Sequence, residues 1–377
     1  MRRGTTATVL LALLVACGGS EEATPEAVAE TYADLVHTAY DASVASATEM
    51  KSAIDAFLAD PTEDNLAAAQ QAWLDARDDY GPTEAFRFYD GPIDNPENGP
   101  EGQINAWPMD EAYVDYVDGD PDAGIINMVD EFPEIDPDVL VSVNEEGGET
   151  NISTGWHAIE FLLWGQDLSA DGPGARPVTD YVDAANSERR AEYLRLATAQ
   201  LVTDLTAVRD AWDPEATDGY RPEFLADPQA ALQKMLRGIG ALSAGELAGE
   251  RMAVAYETRD QEDEHSCFSD NTNADVLGNA RGVRMVYLAE MEGVDGPSLS
   301  DLVAQSDPEL DTTLREQLDN SVSLAEGFPT TFDQMIQAPD GDPAREALLE
   351  AIESMEAQGE SIARAAQALG VTINLEI

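Results

Sequence analysis

The chain has 377 residues, and its hydrophobic content of 43% indicates a folded globular protein rather than a disordered one. Its 75 acidic and 20 basic residues give a formal net charge of −55. Such a charge repels nucleic acid and anionic lipid headgroups, so we expect no nucleic-acid partner and a surface that attracts cations.

The N-terminus has the pattern of an export signal. Arg2 and Arg3 precede an apolar run, Val9–Val15, that is too short to span a bilayer. The run ends at Ala16-Cys17, which resembles the cleavage site of a lipoprotein. Residues 1–16 are therefore predicted to be a lipoprotein signal peptide, although an ordinary secretory signal is the alternative.

Cys17 is the predicted lipidation site, and residues 17–24 are predicted to be a lipidated tether. Several buried acyl chains anchor a protein firmly, since each methylene contributes about 0.8 kcal/mol. We expect an exported protein that contacts the membrane through lipid on Cys17, on the periplasmic or cell-surface side. Gly18 after the cysteine favours the outer membrane, if there is one.

The remaining chain is predicted to be all-α, because apolar residues recur with three-four spacing. Thr24 and Pro25 are suited to begin a helix that ends before Asp60-Pro61, and a second helix follows over Thr62–Tyr80. Further helices are predicted at about 154–164, 187–211, 228–260, 274–292, 307–326 and 343–368.

These helices suggest two bundle-like subdomains, at 25–185 and 186–377. Residues 81–150 form a long irregular insertion in the first, because they are rich in Gly, Pro, Asp and Asn. Gly245 and Gly249, four residues apart, indicate a close helix–helix contact.

The chain contains only three histidines, and two of them have neighbours that could bind a ligand. His157 and Glu160 are spaced to lie one turn apart on the same face of a helix, where both could contact one metal ion. A hydrogen-bonded pair with no metal is the simpler alternative.

His265 lies in a second polar segment, Glu262–Thr272. Carboxylates, an imidazole and the Cys267 thiol occur there within about ten residues. Cys267 has no intramolecular disulfide partner if Cys17 carries lipid, and burial is its expected role. A polar helix terminus is the simpler interpretation of this segment.

Four segments, taken together and in this order, resemble the imelysin or M75 peptidase-like family, specifically its iron-regulated branch. The segments are Trp73–Tyr80 continuing through Thr83–Phe88; Gly91–Asp94 with Ile104–Glu111; Gly155–Glu160, which matches the motif GxHxxE; and Glu262–Thr272. The resemblance covers roughly residues 25–370.

The resemblance implies two helical subdomains, a site between them near GxHxxE, and an envelope lipoprotein linked to iron acquisition. We expect the candidate metal ligands to converge on one cleft. They are His157, Glu160, Glu84, Asp263, Glu264 and His265. Arg87, Trp156 and Asp270 are assigned to ligand binding or support.

The family name also implies a peptidase, for which this sequence offers little. A zinc peptidase needs about three protein ligands and a general base. The signature HExxH is absent, and no catalytic residues are predicted.

Carboxylates and imidazole suit iron, with zinc or another divalent metal less favoured and haem left open. Arg87 instead favours an anion or a metal chelate. We expect a metal-binding or chelate-binding protein, with an envelope transport partner conceivable. An M75-type metallopeptidase and a ligand or protein-interaction module without metal are the alternatives.

Overall fold

The computed structural model describes residues 23–169 and 172–377. The predicted signal peptide and Cys17 lie outside these ranges, so the predicted lipidation is not among the described features. Within the described ranges the fold is all-α, as predicted, and contains no β-sheet. None of the described helices has the length and apolar character needed to cross a bilayer.

Fifteen α-helices lie in the described ranges. They are α1 Pro25–Ala59, α2 Glu63–Tyr80, α3 Glu101–Ile104, α4 Glu111–Val114, α5 Pro137–Val143, α6 Gly155–Trp164, α7 Ser187–Asp210, α8 Tyr220–Leu225, α9 Pro228–Gly240, α10 Val254–Thr258, α11 Thr272–Leu288, α12 Leu299–Ser306, α13 Pro308–Glu326, α14 Phe332–Gln337 and α15 Pro343–Ala368. Short 3₁₀ helices occur at Gly81–Phe86, Val178–Tyr181 and Gln261–Asp263.

The first two helices begin within one residue of their predicted starts, and each is capped by a threonine. Thr24 Oγ1 accepts a hydrogen bond from Ala27 N at 3.3 Å, and Pro25 occupies the first turn, where its missing N–H costs nothing. Thr62 Oγ1 likewise accepts from Asn65 N at 3.2 Å and caps α2. Both caps confirm the predicted helix starts to within one residue.

Two groups of helices build one core. In the first group α1 packs against α2 and α7, and in the second α15 packs against α9 and α13. Contacts of α1 with α9, and of α2 with α11, join the two groups. Helices from both predicted subdomains therefore share this core, and the boundary between residues 185 and 186 stays a prediction.

The segment predicted as one helix over 228–260 is three helices. A π-helix, Ala241–Ala253, separates α9 from α10. Hydrogen bonds in a π-helix join residues five apart, which places Glu246 and Arg251 one above the other. Their side chains form an ion pair, with Arg251 Nε 3.0 Å from Glu246 Oε1. Apolar periodicity alone does not distinguish this winding from an α-helix.

The predicted helix contact at Gly245 and Gly249 is wrong. A Cβ on Gly245 would lie 2.7 Å from the carbonyl oxygen of Leu375, in the C-terminal segment after α15. The space left by the missing side chain of Gly245 is therefore occupied by the C-terminal segment and not by a neighbouring helix. At Gly249 the nearest atom belongs to the same helix, the carbonyl oxygen of Ala244.

The irregular insertion starts with a 3₁₀ helix, Gly81–Phe86, that lies directly against α11. A Cβ on Gly282 would lie only 2.4 Å from the carbonyl oxygen of Pro82, so only glycine permits this approach. The contact holds Glu84, a buried residue of the 3₁₀ helix, between α2 and α11. This placement brings the first predicted site residue to the junction of the two helix groups.

Candidate functional site

The GxHxxE motif forms the first half of α6, in which all ten residues are buried. Gly155 begins this helix with φ of +86°, and a Cβ there would lie 2.5 Å from the carbonyl oxygen of Ile104. Both the positive φ and the close approach require glycine. The insertion can therefore cover the start of α6, just above His157.

His157 and Glu160 form a buried pair, with Nδ1 and Oε2 2.9 Å apart. The other carboxyl oxygen, Glu160 Oε1, accepts hydrogen bonds from Ser269 N at 2.9 Å and Ser269 Oγ at 2.7 Å. Burial raises the pKa of Glu160 to about 8, against the opposing effect of the Ser269 bonds. Burial, reinforced by Arg77, lowers the pKa of His157 to about 3. The imidazole is therefore neutral at neutral pH.

His265 is held in a similar way by Asp275 of α11. Its Nδ1 lies 2.9 Å from Asp275 Oδ2, and Arg77 Nη2 donates to Asp275 Oδ1 at 2.7 Å. Burial favours protonation of Asp275, but Arg77 and His265 outweigh it and hold the pKa of this carboxyl well below its usual range. Burial and Arg251 lower the pKa of His265 to about 3, so this imidazole is also neutral.

The two imidazoles contact each other, with ring centroids 4.6 Å apart and planes at 78°. In both rings Nδ1 is engaged by a carboxyl group, whereas Nε2 is buried and has no hydrogen-bond partner among the described residues. Buried polar atoms without partners are uncommon and cost free energy. Two such atoms in adjacent rings indicate a place for a ligand.

Glu84 lies at the centre of a charged network beside this pair. Its Oε2 accepts from Arg87 Nη1 and from Arg251 Nη2, each at 2.7 Å, and its Oε1 accepts from Asn105 Nδ2 at 2.9 Å. Burial alone would raise the pKa of Glu84, but Arg251 and Arg87 hold it far below its usual range. Asn105 also accepts from Arg77 Nη1 at 2.6 Å, which connects Glu84 to the Asp275–His265 pair.

A cavity of about 380 Å³ adjoins the network. Arg87, Arg251 and His265 line it, together with Trp107, whose ring centroid lies 5.7 Å from that of His265. Four glutamates of the lining outnumber the two arginines. The lining residues are Arg87, Glu101, Asn105, Ala106, Trp107, Pro108, Glu145, Glu149, Glu246, Arg251 and His265.

The structure thus brings together four of the six predicted ligands: His157, Glu160, Glu84 and His265. Asp263 lies apart, where its Oδ2 accepts from Thr258 Oγ1 at 2.5 Å.

Glu264 is fully buried, but its carboxyl group has other neighbours. Burial, reinforced by Asp333, raises its pKa to about 9, so it is protonated at neutral pH. Asp270 also raises the pKa of Glu264, which places both carboxyl groups in a second acidic region. Burial, with Asp333 adding to it, raises the pKa of Asp270 itself to about 7.

The remaining predicted residues have structural environments. Trp156 is buried, and its ring lies 5.4 Å from that of Tyr80 and 5.5 Å from the guanidinium carbon of Arg77. Through its contact with Arg77, Trp156 adjoins the residue that donates to Asp275. Cys267 is buried, as expected, and burial raises the pKa of its thiol well above the usual value.

The sequence did not identify Asp275, Arg77 and Arg251 as site residues. One signal was available for Arg251, which lies among the buried residues Leu247, Ala248 and Met252. A cation on an apolar helix face implies a buried partner. No comparable signal marks Asp275, because its partner Arg77 is 198 positions away.

Metal binding at this site would depend mainly on the two histidines. Residues 23–169 and 172–377 contain no group of three or more His, Cys, Asp or Glu side chains arranged to hold one. The two free Nε2 atoms do fit part of a coordination shell, since metal-binding histidines usually donate their other N–H to a carboxylate. At most two nitrogen ligands would come from these histidines, and a metal bound here would need further ligands of its own.

Comparisons with known proteins agree with this architecture. The model of the family described as Imelysin (Peptidase_M75) matches residues 36–358. "Iron-regulated protein A" of Synechococcus elongatus is 26% identical over 335 residues, which cover 88% of this chain and 84% of that protein.

Two solved structures share the fold. An iron-regulated protein A precursor from Parabacteroides distasonis superposes with a TM-score of 0.69 at 17% identity, covering 92% of this chain and 96% of that one. An imelysin-like protein from Psychrobacter arcticum gives a TM-score of 0.66 at 13% identity, covering 92% and 98%. Because the family model spans most of the chain and includes the GxHxxE motif, the chain belongs to the imelysin family.

Proposed function

We propose that the protein captures iron that arrives as a chelate, and that it does so at the cell envelope in iron acquisition. The observation that carries the proposal is the pair of neutral, buried imidazoles of His157 and His265, each with a free Nε2. Lipid on Cys17 would keep the protein at the membrane. The name of the Synechococcus relative supports the connection with iron.

A chelate suits this site better than a bare ion. The chain supplies two nitrogen ligands, and the chelating anion would supply the remaining ones. Arg87 and Arg251 line the cavity beside His265 and could bind the carboxylates of a chelator, although each is already paired with Glu84. His157 lies behind His265 and does not itself line this cavity. The four glutamates of the lining favour the positive charge of the metal.

Binding of ferric citrate tests the proposal. We expect the purified protein to retain iron through gel filtration, and His157→Ala and His265→Ala each to lose most of it. Glu160→Gln removes the carboxylate that orients His157 and should weaken binding by about 10–100-fold. Iron retained after gel filtration is measured by elemental analysis.

His37→Ala is the matched control, since it removes the third imidazole, which lies on α1 outside the site. It should retain iron as the wild type does. Retention by the double variant His157→Ala/His265→Ala equal to that of the wild type would contradict the proposal.

Iron binding should also tighten as pH rises toward about 8. Burial raises the pKa of Glu160 to about 8, so below that pH the His157–Glu160 pair holds a proton. Metal at Nε2 requires Nδ1 to donate to an ionised Glu160, so binding releases this proton and improves by up to about tenfold per pH unit.

The affinity for ferric citrate is measured against pH for the wild type and for Glu160→Gln, at the same concentration of free chelate. Protonation of citrate affects both proteins equally and therefore cancels in the comparison. The slope of affinity against pH should be smaller in the variant. Equal slopes would show that Glu160 does not release the proton.

A further inference from the structure

A second cavity, of about 430 Å³, lies between the insertion and α7. Its walls come from residues 91–103, from residues 204–211 at the end of α7 and just after it, and from Tyr220 of α8. It shares no lining residue with the cavity beside His265. Any ligand bound here would therefore be separate from the proposed iron site.

The notable residue of this cavity is Asp204, an acidic side chain on the buried face of α7. It is 8% exposed and has Leu201, Leu205 and Val208 as neighbours on that face. Its Oδ1 accepts from Gln200 Nε2 at 2.8 Å, but its Oδ2 is buried and has no hydrogen-bond partner among the described residues. Buried carboxylates are normally paired, so this oxygen needs an explanation.

Protonation does not explain it at neutral pH. Burial raises the pKa of Asp204 to about 6, with the Gln200 hydrogen bond opposing the shift, so the carboxylate form still dominates at pH 7. Within residues 23–169 and 172–377 no basic side chain forms an ion pair with it. Lys234 contacts Tyr220, another residue of the lining, with Nζ 3.2 Å from the hydroxyl oxygen and 5.0 Å from the ring centroid.

The rest of the lining defines the chemistry of an occupant. Asp204 is its only charged residue, and Asn95, Asn98 and Gln103 add neutral hydrogen-bonding groups. Pro92 and Val208 are among its apolar residues. A calcium ion requires six to eight oxygen ligands, usually including several carboxylates, and the cavity is far larger than an ion. One carboxylate, several amides and an apolar wall suit an organic monocation with N–H donors.

We propose that this cavity binds a small organic cation through its primary ammonium group. The ammonium donates to the carboxylate of Asp204, the amide side chains accept its other N–H groups, and its carbon chain lies on the apolar wall. The net charge of −55 raises the concentration of such cations around the protein. This site is independent of the proposed iron capture.

Three probes of similar size test the proposal by isothermal titration calorimetry at constant ionic strength. n-Butylammonium has the charge and the N–H donors, 1-butanol has no charge, and tetramethylammonium has charge without N–H. We expect saturable binding of n-butylammonium, and binding at least about tenfold weaker for the other two, since charge-assisted hydrogen bonds are about twice as strong as neutral ones.

Asp204→Asn should weaken n-butylammonium binding by at least about tenfold, a loss of about 1.4 kcal/mol. Asp210→Asn is the matched control, because it makes the same charge change on α7 at an exposed residue that does not line the cavity. It should bind n-butylammonium as the wild type does. Both variants should retain ferric citrate as the wild type does, which separates this site from the iron site.

Equal binding of tetramethylammonium and n-butylammonium would overturn the proposal, because it would reflect only the acidic surface. Equal binding of 1-butanol would overturn it in favour of a neutral hydroxyl ligand. Absence of n-butylammonium binding to the wild type would also overturn it. The probe series needs no variant, so the proposal stays testable even if Asp204→Asn folds poorly.

Discussion

Asp275→Ala should lower the free energy of unfolding by about 3–5 kcal/mol, the usual cost of removing one partner of a buried ion pair. The substitution leaves the Arg77 guanidinium buried without its anion and frees Nδ1 of His265. The side chain of Asp275 is only 2% exposed, so water cannot take its place without opening the core. Urea unfolding of the wild type and the variant measures the difference.

The pH dependence of the free energy of unfolding gives a second check on the role of Asp275. Its folded pKa lies below the ordinary value of 3.8, so its contribution is complete above that value and is lost as pH falls through the folded pKa. Asp79→Ala, at an exposed carboxylate of α2, is the control and should change stability by no more than about 0.5 kcal/mol. A similarly small change for Asp275→Ala would show that Arg77 does not depend on this carboxylate.

Glu84→Ala should produce a loss of comparable size, about 3–5 kcal/mol, because Arg87 and Arg251 both bind its Oε2. Glu246 stays near both arginines and limits the loss, with Arg251 Nη2 2.8 Å and Arg87 Nη1 3.9 Å from Glu246 Oε1. The measurement is urea unfolding, compared with Glu356→Ala at an exposed residue of α15.

A double-mutant cycle with Arg251→Met isolates the pair. Once Glu84 is absent, removing Arg251 should cost less than in the wild type, because the ion pair between the two residues is already lost, and the coupling should be about 0.5–3 kcal/mol. Strict additivity of the two single substitutions would argue against a direct interaction.

The long helices could be predicted because burial imposes a period on the sequence. The apolar stripe of α1 and the caps at Thr24 and Thr62 correspond to observed contacts. The helices α8 and α14, of six residues each, were not predicted, because so short a segment spans fewer than two turns and shows no period. The π-helix was not predicted for a different reason, since neither the apolar spacing nor Gly245 and Gly249 distinguishes π winding from α winding.

Prediction of the site was limited by distance along the chain. His157 and Glu160 were found because a helix relates residues three apart, and that relation is local. Asp263 and Glu264 were grouped with His265 only because they are neighbours in sequence. After the 3₁₀ turn the backbone at Glu264 is extended, so successive side chains point in different directions and only His265 reaches the site.

The π-helix also constrains the number of residues between Glu246 and Arg251. Glu246 and Arg251 reach the same cavity because they are five positions apart in a π-wound segment. Each residue advances an α-helix by about 100°, so α winding without loss of a residue would place the two side chains about 140° apart around the helix. Loss of one residue between them would instead restore their alignment, because residues four apart lie on the same face of an α-helix. Among relatives, a segment matching Ala241–Ala253 that is α-wound should therefore have either a one-residue gap between the glutamate and the arginine or a different charge arrangement in the cavity, even where the GxHxxE motif is intact.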